Sequence, residues 1–205
     1  MKLLWEPAED RRVLAAILGA VLVVTFAFSL VKVHRRDGLS SPPRPGDAIP
    51  YDCIAYHVAR GDGFAINYAD AEFARPYPTI ATGPITAGAR GPTTTRPPLF
   101  PLATAVVYRL AGRRFEYVRV LNCLAFSLAI ALASLVAYRA GGIVAVCGVL
   151  ACVVYLDAAR PYLMGEMTTE AFATLACVVL FLVTRRGNAV IDAVYVRRDV
   201  STPWV

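Results

Sequence analysis

The sequence predicts an all-α membrane protein with about four transmembrane helices, an interfacial or re-entrant helix and a long extracytoplasmic first loop. Three observations predict it. Hydrophobic residues make up 57% of the 205, and the mean hydropathy is +0.53, above what a soluble domain carries. Uncharged apolar runs of 17 to 19 residues recur along the chain, long enough as helices to cross a hydrocarbon core of roughly 30 Å. Arginines bracket those runs, as they bracket membrane ends. The net charge of +6 comes from 19 arginines and 2 lysines. They form no basic stripe interleaved with aromatics, so no nucleic-acid partner is expected.

Residues 1–12 form a cytoplasmic N-terminus. Val13–Val31 is 19 residues without a charge, preceded by Arg11 and Arg12, and predicts a first transmembrane helix over 13–33. The run exceeds a signal-peptide core and no A-x-A-like site follows it, so the anchor is expected to be retained. Residues 34–116 form the long loop, opened by the proline-rich "SSPPRPGD". Within it, Ile54, Ala55, Val58 and Ala59 give residues 49–60 a weak apolar helical face, and Gly61 and Gly63 end that helix. The breaker-rich run "RPYPTIATGPITAGARGPTTTRPP" reads as a functional lid or binding loop, or else as a disordered segment. Pro97–Tyr108 has 12 uncharged residues, about 18 Å of helix and too short to span. It predicts an interfacial or re-entrant helix over 97–111, with prolines at its start where missing N–H groups cost nothing.

Val120–Tyr138, Ala140–Leu156 and Met167–Thr184 are further runs of 19, 17 and 18 residues, uncharged except for Glu170 near the start of the last. They predict transmembrane helices over 117–139, 140–157 and 167–184, joined by an extracytoplasmic connection at 158–166 and followed by a cytoplasmic tail, 185–205. Alanine, glycine, serine and cysteine are frequent in them, as in closely packed membrane bundles. Four of the five cysteines lie in these runs and read as small hydrophobes. Cys53 falls in the polar loop. The odd number and the absence of C-x-x-C support neither a disulfide framework nor a zinc site.

With four spans, Arg11, Arg12, Arg139, Arg185 and Arg186 share one side, which short-loop positive charge marks as cytoplasmic. Arg113, Arg114 and Arg119 then fall outside, against the rule, though charges of long loops weigh little in it. This topology puts Asp47, Glu166 and Glu170 on one extracytoplasmic face, where carboxylates can share a metal or a substrate. Glu170, at the outer start of an apolar helix, is also favoured there by the helix dipole alone. Arg96, before the rigid Pro97–Pro98 step, either snorkels at the interface or presents a fork of donors to a lipid phosphate.

The order of these pieces resembles the GT-C membrane glycosyltransferases. Asp47-x-x-x-Tyr51 comes first, then a helix ending "ARGDGF", then "RPPLFP", then "ARPYLMGEMTTEAF" before an apolar span. The nearer resemblance is to protein mannosyltransferase-like and aminoarabinose transferase-like enzymes, over roughly residues 12–185. It implies transfer of a sugar from a polyprenyl-phosphate carrier to a protein or lipid acceptor at the extracytoplasmic face of an integral, multi-pass membrane protein. On this resemblance Asp47 is the catalytic base or acceptor-orienting carboxylate, Arg96 engages the carrier phosphate, Glu170 or Glu166 is the second acidic position, and Tyr51 shapes the pocket. A divalent cation is left open as a cofactor.

Family members carry eight or more spans where about four are read here. An N-terminal part, or a truncated homologue completed by a second polypeptide, is therefore expected. The competing expectation is a non-catalytic remnant or assembly subunit. His57 matches no part of the pattern and reads as a surface or packing residue.

Overall fold

The structure, a computed structural model, describes residues 8–43, 46, 48–77, 90–94, 96–159 and 173–182. It is mostly helical. In order come α1 (Ala8–Asp37), α2 (Ala48–Arg60), β1 (Ala65–Asn67), α3 (Ala71–Ala74), β2 (Arg90–Pro92), α4 (Leu99–Ala111) and α5 (Phe115–Ala159), then the short apolar α6 (Ala173–Leu182). Among the described residues two helices, over Arg12–Asp37 and Phe115–Tyr155, are long and apolar enough to cross a membrane.

These two pack on each other. On α1 the buried positions Leu14, Val21, Thr25, Ser29 and Val33 recur at helical spacing, while Val23, Val24, Phe28 and Val31 stay exposed. The facing stretch of α5 buries small side chains: Ala125, Ser127, Ala129, Ala131 and Ser134. They let the backbones approach closely. Thr25 and Ser127 turn their hydroxyls inward, each donating to the carbonyl four residues back, Val21 at 2.6 Å and Cys123 at 2.7 Å.

The sequence predicts separate helices over 117–139 and 140–157, and the structure draws them as one element with a break inside it. Gly141 and Gly142 leave helical geometry, and Gly142 takes φ 64°, ψ −155°, a conformation that only glycine adopts without strain. Ile130 and Val146 would stand about 24 Å apart along an unbroken helix. Instead they share one buried cluster with Val21, so the chain folds back at the glycine pair.

The segment expected as a long loop with helices over 49–60 and 97–111 holds α2 and α4 at those places and more order besides. α2 packs against α4, and β1 pairs antiparallel with β2, with Ile66 opposite Gly91. This two-stranded sheet amends the all-α expectation. α2 ends in a Schellman motif: the Asp62 N–H donates to the His57 carbonyl at 2.9 Å and the Gly61 N–H to Val58 at 3.1 Å, with Gly61 at φ 92°. Asp70 caps α3 by accepting from the N–H groups of Glu72 and Phe73.

Cys53, expected in a polar loop, is on α2 and fully buried. Its sulfur accepts the Asn67 N–H at 3.4 Å, which ties β1 to α2. Burial pushes its thiol up to about 12. Of the remaining cysteines, Cys123 is buried and Cys147, Cys152 and Cys177 are exposed. His57, expected as a surface or packing residue, is buried.

Candidate functional site

The α2–α4 pair carries two of the residues singled out by the sequence. Tyr51, on α2, is 5% exposed and meets Phe100 of α4 edge-on, ring centroids 5.7 Å apart. Arg96 lies three residues before α4, half-buried, with its guanidinium carbon 5.3 Å from the Tyr51 ring centroid. That is cation–π range. The structure therefore brings Arg96 and Tyr51 together, 45 positions apart in sequence, and fixes both to the start of α4. Asp47 directly precedes α2 in sequence but lies outside the described residues, as do Glu166 and Glu170.

A second constellation escaped the sequence reading. Asp52, the neighbour of Tyr51, is fully buried. It accepts the Tyr77 hydroxyl at 2.7 Å, the Tyr108 hydroxyl and the Arg113 guanidinium. Arg113 also donates to the Phe73 carbonyl at 2.8 Å, and its guanidinium lies within 4.5 to 5.5 Å of the Tyr56, Phe73, Tyr77 and Phe115 rings. One carboxylate thus joins α2, the segment after α3, α4 and the α4–α5 junction.

Burial, reinforced by the Asp52 charge, pushes the Tyr77 and Tyr108 phenols far above their usual range, so both stay donors. Burial alone would lower the Arg113 guanidinium, and the facing carboxylate reverses that direction. Nearby, burial pushes Tyr68 up to about 12.

Buried charge is tolerated only with partners of this kind, so every side of the Asp52 carboxylate is engaged. It is built to hold elements together, whereas a general base needs an oxygen free to take a proton. The signals that could have revealed it are weak: an acid amid the buried apolar positions of α2, and an arginine placed just after the helix-ending Gly112.

His57 makes a smaller pair. Its Nδ1 stands 3.1 Å from an Asp62 carboxylate oxygen, while its Nε2 is buried with no hydrogen-bond partner among the described residues. No group of three or more His, Cys, Asp or Glu side chains is placed to hold a metal ion among the described residues.

Arg119, on the first turns of α5, is 2% exposed. Its Nη1 donates to the carbonyls of Gly38, Leu39 and Ser41 at 2.8, 2.7 and 2.6 Å, which fastens the exit of α1 to the entrance of α5. Two of the three arginines expected outside against the positive-inside rule, Arg113 and Arg119, are thus engaged by internal acceptors.

What the arrangement offers chemically is a half-buried cation, Arg96, held by an aromatic face at the start of an apolar helix and next to a rigid polar hub. Comparison with protein-family models, curated proteins and solved structures finds no match for the chain.

Proposed function

We propose that this chain is a membrane glycosyltransferase, or the N-terminal part of one, that transfers a sugar from a polyprenyl-phosphate donor to an acceptor at the extracytoplasmic face. The observation that carries the reading is the Arg96–Tyr51 pair. A guanidinium stacked on a buried tyrosine, beside a helix that leads into a membrane-length apolar helix, suits a phosphate presented at headgroup depth. The proposed topology has four spans: α1, the two arms of α5 on either side of Gly141–Gly142, and the helix containing α6. The α2–α4 unit and the 158–166 connection lie outside the cell membrane.

In the proposed reaction an acceptor oxygen attacks the anomeric carbon as the bond from that carbon to the phosphate oxygen breaks. Asp47 takes the acceptor's proton, and the leaving polyprenyl phosphate gathers negative charge that Arg96 stabilises. Glu170 or Glu166 orients the acceptor. Removing one donor aimed at developing charge typically lowers a rate about 10²- to 10³-fold. The test is sugar transfer from a polyprenyl-phosphate-sugar in membranes carrying the chain. Asp47→Asn and Arg96→Gln are expected to lower transfer by at least about 100-fold. Unchanged transfer by Asp47→Asn removes that residue from the chemistry.

One observation favours a second reading, a non-catalytic assembly subunit. Asp52, the fully buried carboxylate of the α2–α4 unit, is committed to Arg113 and two tyrosines, an arrangement that serves stability. On this reading the exposed apolar faces of α1 and α5 receive a second polypeptide, and the chain supports transfer only in its company.

A further inference from the structure

One row of side chains on α1 changes character near the end of that helix. Val24, Phe28, Lys32 and Arg36 follow one another at four-residue spacing and form a continuous ridge. Val24 and Phe28, the inner pair, are 65% and 48% exposed. Lys32 and Arg36, the outer pair, are partly exposed. The Lys32 ammonium stands 5.9 Å from the Phe28 ring centroid, at the edge of cation–π range. The ridge borders the side of α1 that packs on α5, since Ser29 and Val33, three residues before Lys32 and Arg36, are buried there.

Lys32 lies about 28 Å along the helix from Val13, close to the roughly 30 Å of a hydrocarbon core. The change from apolar to cationic therefore falls where acyl chains give way to headgroups. Two cations one turn apart repel each other, and the exposed Arg35 adds a third. Asp37 offsets part of that charge, with a carboxylate oxygen 3.8 Å from the Arg36 Nε. Arg119 of α5 is committed to the carbonyls of Gly38, Leu39 and Ser41. A ligand complementary to the ridge has an anionic head and an apolar chain that continues toward the membrane interior.

We infer that this ridge binds an anionic phospholipid, with its phosphate between Lys32 and Arg36 and one acyl chain along Phe28 and Val24. A zwitterionic phospholipid fits less well, because its own cation would stand beside Lys32, Arg35 and Arg36. The lipid seals the rim of the α1–α5 pair, and the inference does not depend on the proposed sugar transfer. Each cation is expected to contribute about fivefold to the preference for anionic lipid.

The experiment uses the full chain in phosphatidylcholine nanodiscs with a trace of phosphatidylglycerol that carries a diazirine on one acyl chain. Labelled peptides are located by mass spectrometry. The label is expected within Val24–Arg36, displaced by unlabelled phosphatidylglycerol and not by added phosphatidylcholine or inorganic phosphate. Lys32→Gln with Arg36→Gln, changes that keep helix propensity, is expected to lower it about 20-fold while circular dichroism stays unchanged. Arg114→Gln, at the entrance of α5, is expected to leave it unchanged. On the unaltered chain, added salt is expected to weaken it.

Label displaced equally by phosphatidylcholine overturns the inference, since the ridge then rests in bulk lipid. Displacement by inorganic phosphate overturns the role of the acyl chain. Label that survives the double variant, or that salt does not weaken, overturns the role of the two cations. An equal loss in Arg114→Gln would show a general effect of charge in place of a site, and overturns it too.

Discussion

Replacing Asp52 by asparagine perturbs the α2–α4 unit at its centre. Asparagine keeps the shape and one acceptor oxygen, and the Tyr108 hydroxyl can rotate to accept from the new amide. The hydrogen-bond loss is therefore small. What disappears is the negative charge facing Arg113, whose side chain is only 15% exposed. Removing one partner of a buried pair costs about 3–5 kcal/mol, because the other charge stays buried and uncompensated. Arg113 keeps the Phe73 carbonyl and four ring faces, so the lower end, about 3 kcal/mol, is expected. At about 1.4 kcal/mol per decade this is roughly a hundredfold. Hydrogen exchange of α2 amides, followed by mass spectrometry on the chain in detergent, reads it as a loss of protection. Arg113→Met alone is expected to cost a similar amount. The double variant buries no charge and is expected to cost about 1–2 kcal/mol, well below the sum of the singles. Protection unchanged in Asp52→Asn, or additive losses in the double variant, would refute the account of the hub.

Two further outcomes follow from the same geometry. Arg119→Met withdraws one donor from three carbonyls at the α1 exit. These carbonyls are only partly buried, so each left unpaired costs at most about 1–3 kcal/mol; thermal stability of the chain in detergent is expected to fall by several degrees, and no change would show that water replaces the guanidinium freely. Alkaline pH is expected to destabilise the α2–α4 unit. Cys53, Tyr68, Tyr77 and Tyr108 are all pushed up by burial, so the folded chain holds these protons more tightly than the unfolded chain does. Their contribution is complete below the usual thiol value, about 8.5, and is lost as pH rises through the folded values. Melting curves paired with phenolate absorbance from pH 8 to 11 check it, and stability that rises across that range contradicts it.

The apolar helices were legible because length and the absence of charge are local properties. Val13–Val31 and Val120–Tyr138 need only the rise per residue to be recognised. The helix break was legible to within two residues, since small residues and arginine mark it, while the conformation that makes it belongs to Gly142. The Asp52 hub was not legible. Its partners Tyr77, Tyr108 and Arg113 lie 25, 56 and 61 residues away, and no periodicity joins positions so far apart. Read locally, Asp52 is an ordinary acid beside the more conspicuous Asp47-x-x-x-Tyr51.

Arg113 and Arg119 show the same limit from the other side. As charges in a sequence they argue against an outward α4–α5 junction. In the fold Arg113 is spent on a carboxylate, a carbonyl and four rings, and Arg119 on three carbonyls. The Arg96–Tyr51 stack was half legible: the sequence supplied both residues, and only the packing of α2 on α4 could bring them together.

Residues from distant parts of the chain are proposed to meet at one outward-facing site, and sidedness tests this most directly. Single protease-cleavable tags inserted near residue 85 and near residue 162 are compared in intact cells and in inverted vesicles. Cleavage of both from outside intact cells, and of neither from the cytoplasmic side, is the predicted result. Tags cleaved from opposite sides would place Asp47 and the Glu166–Glu170 segment across the membrane from each other and contradict the account.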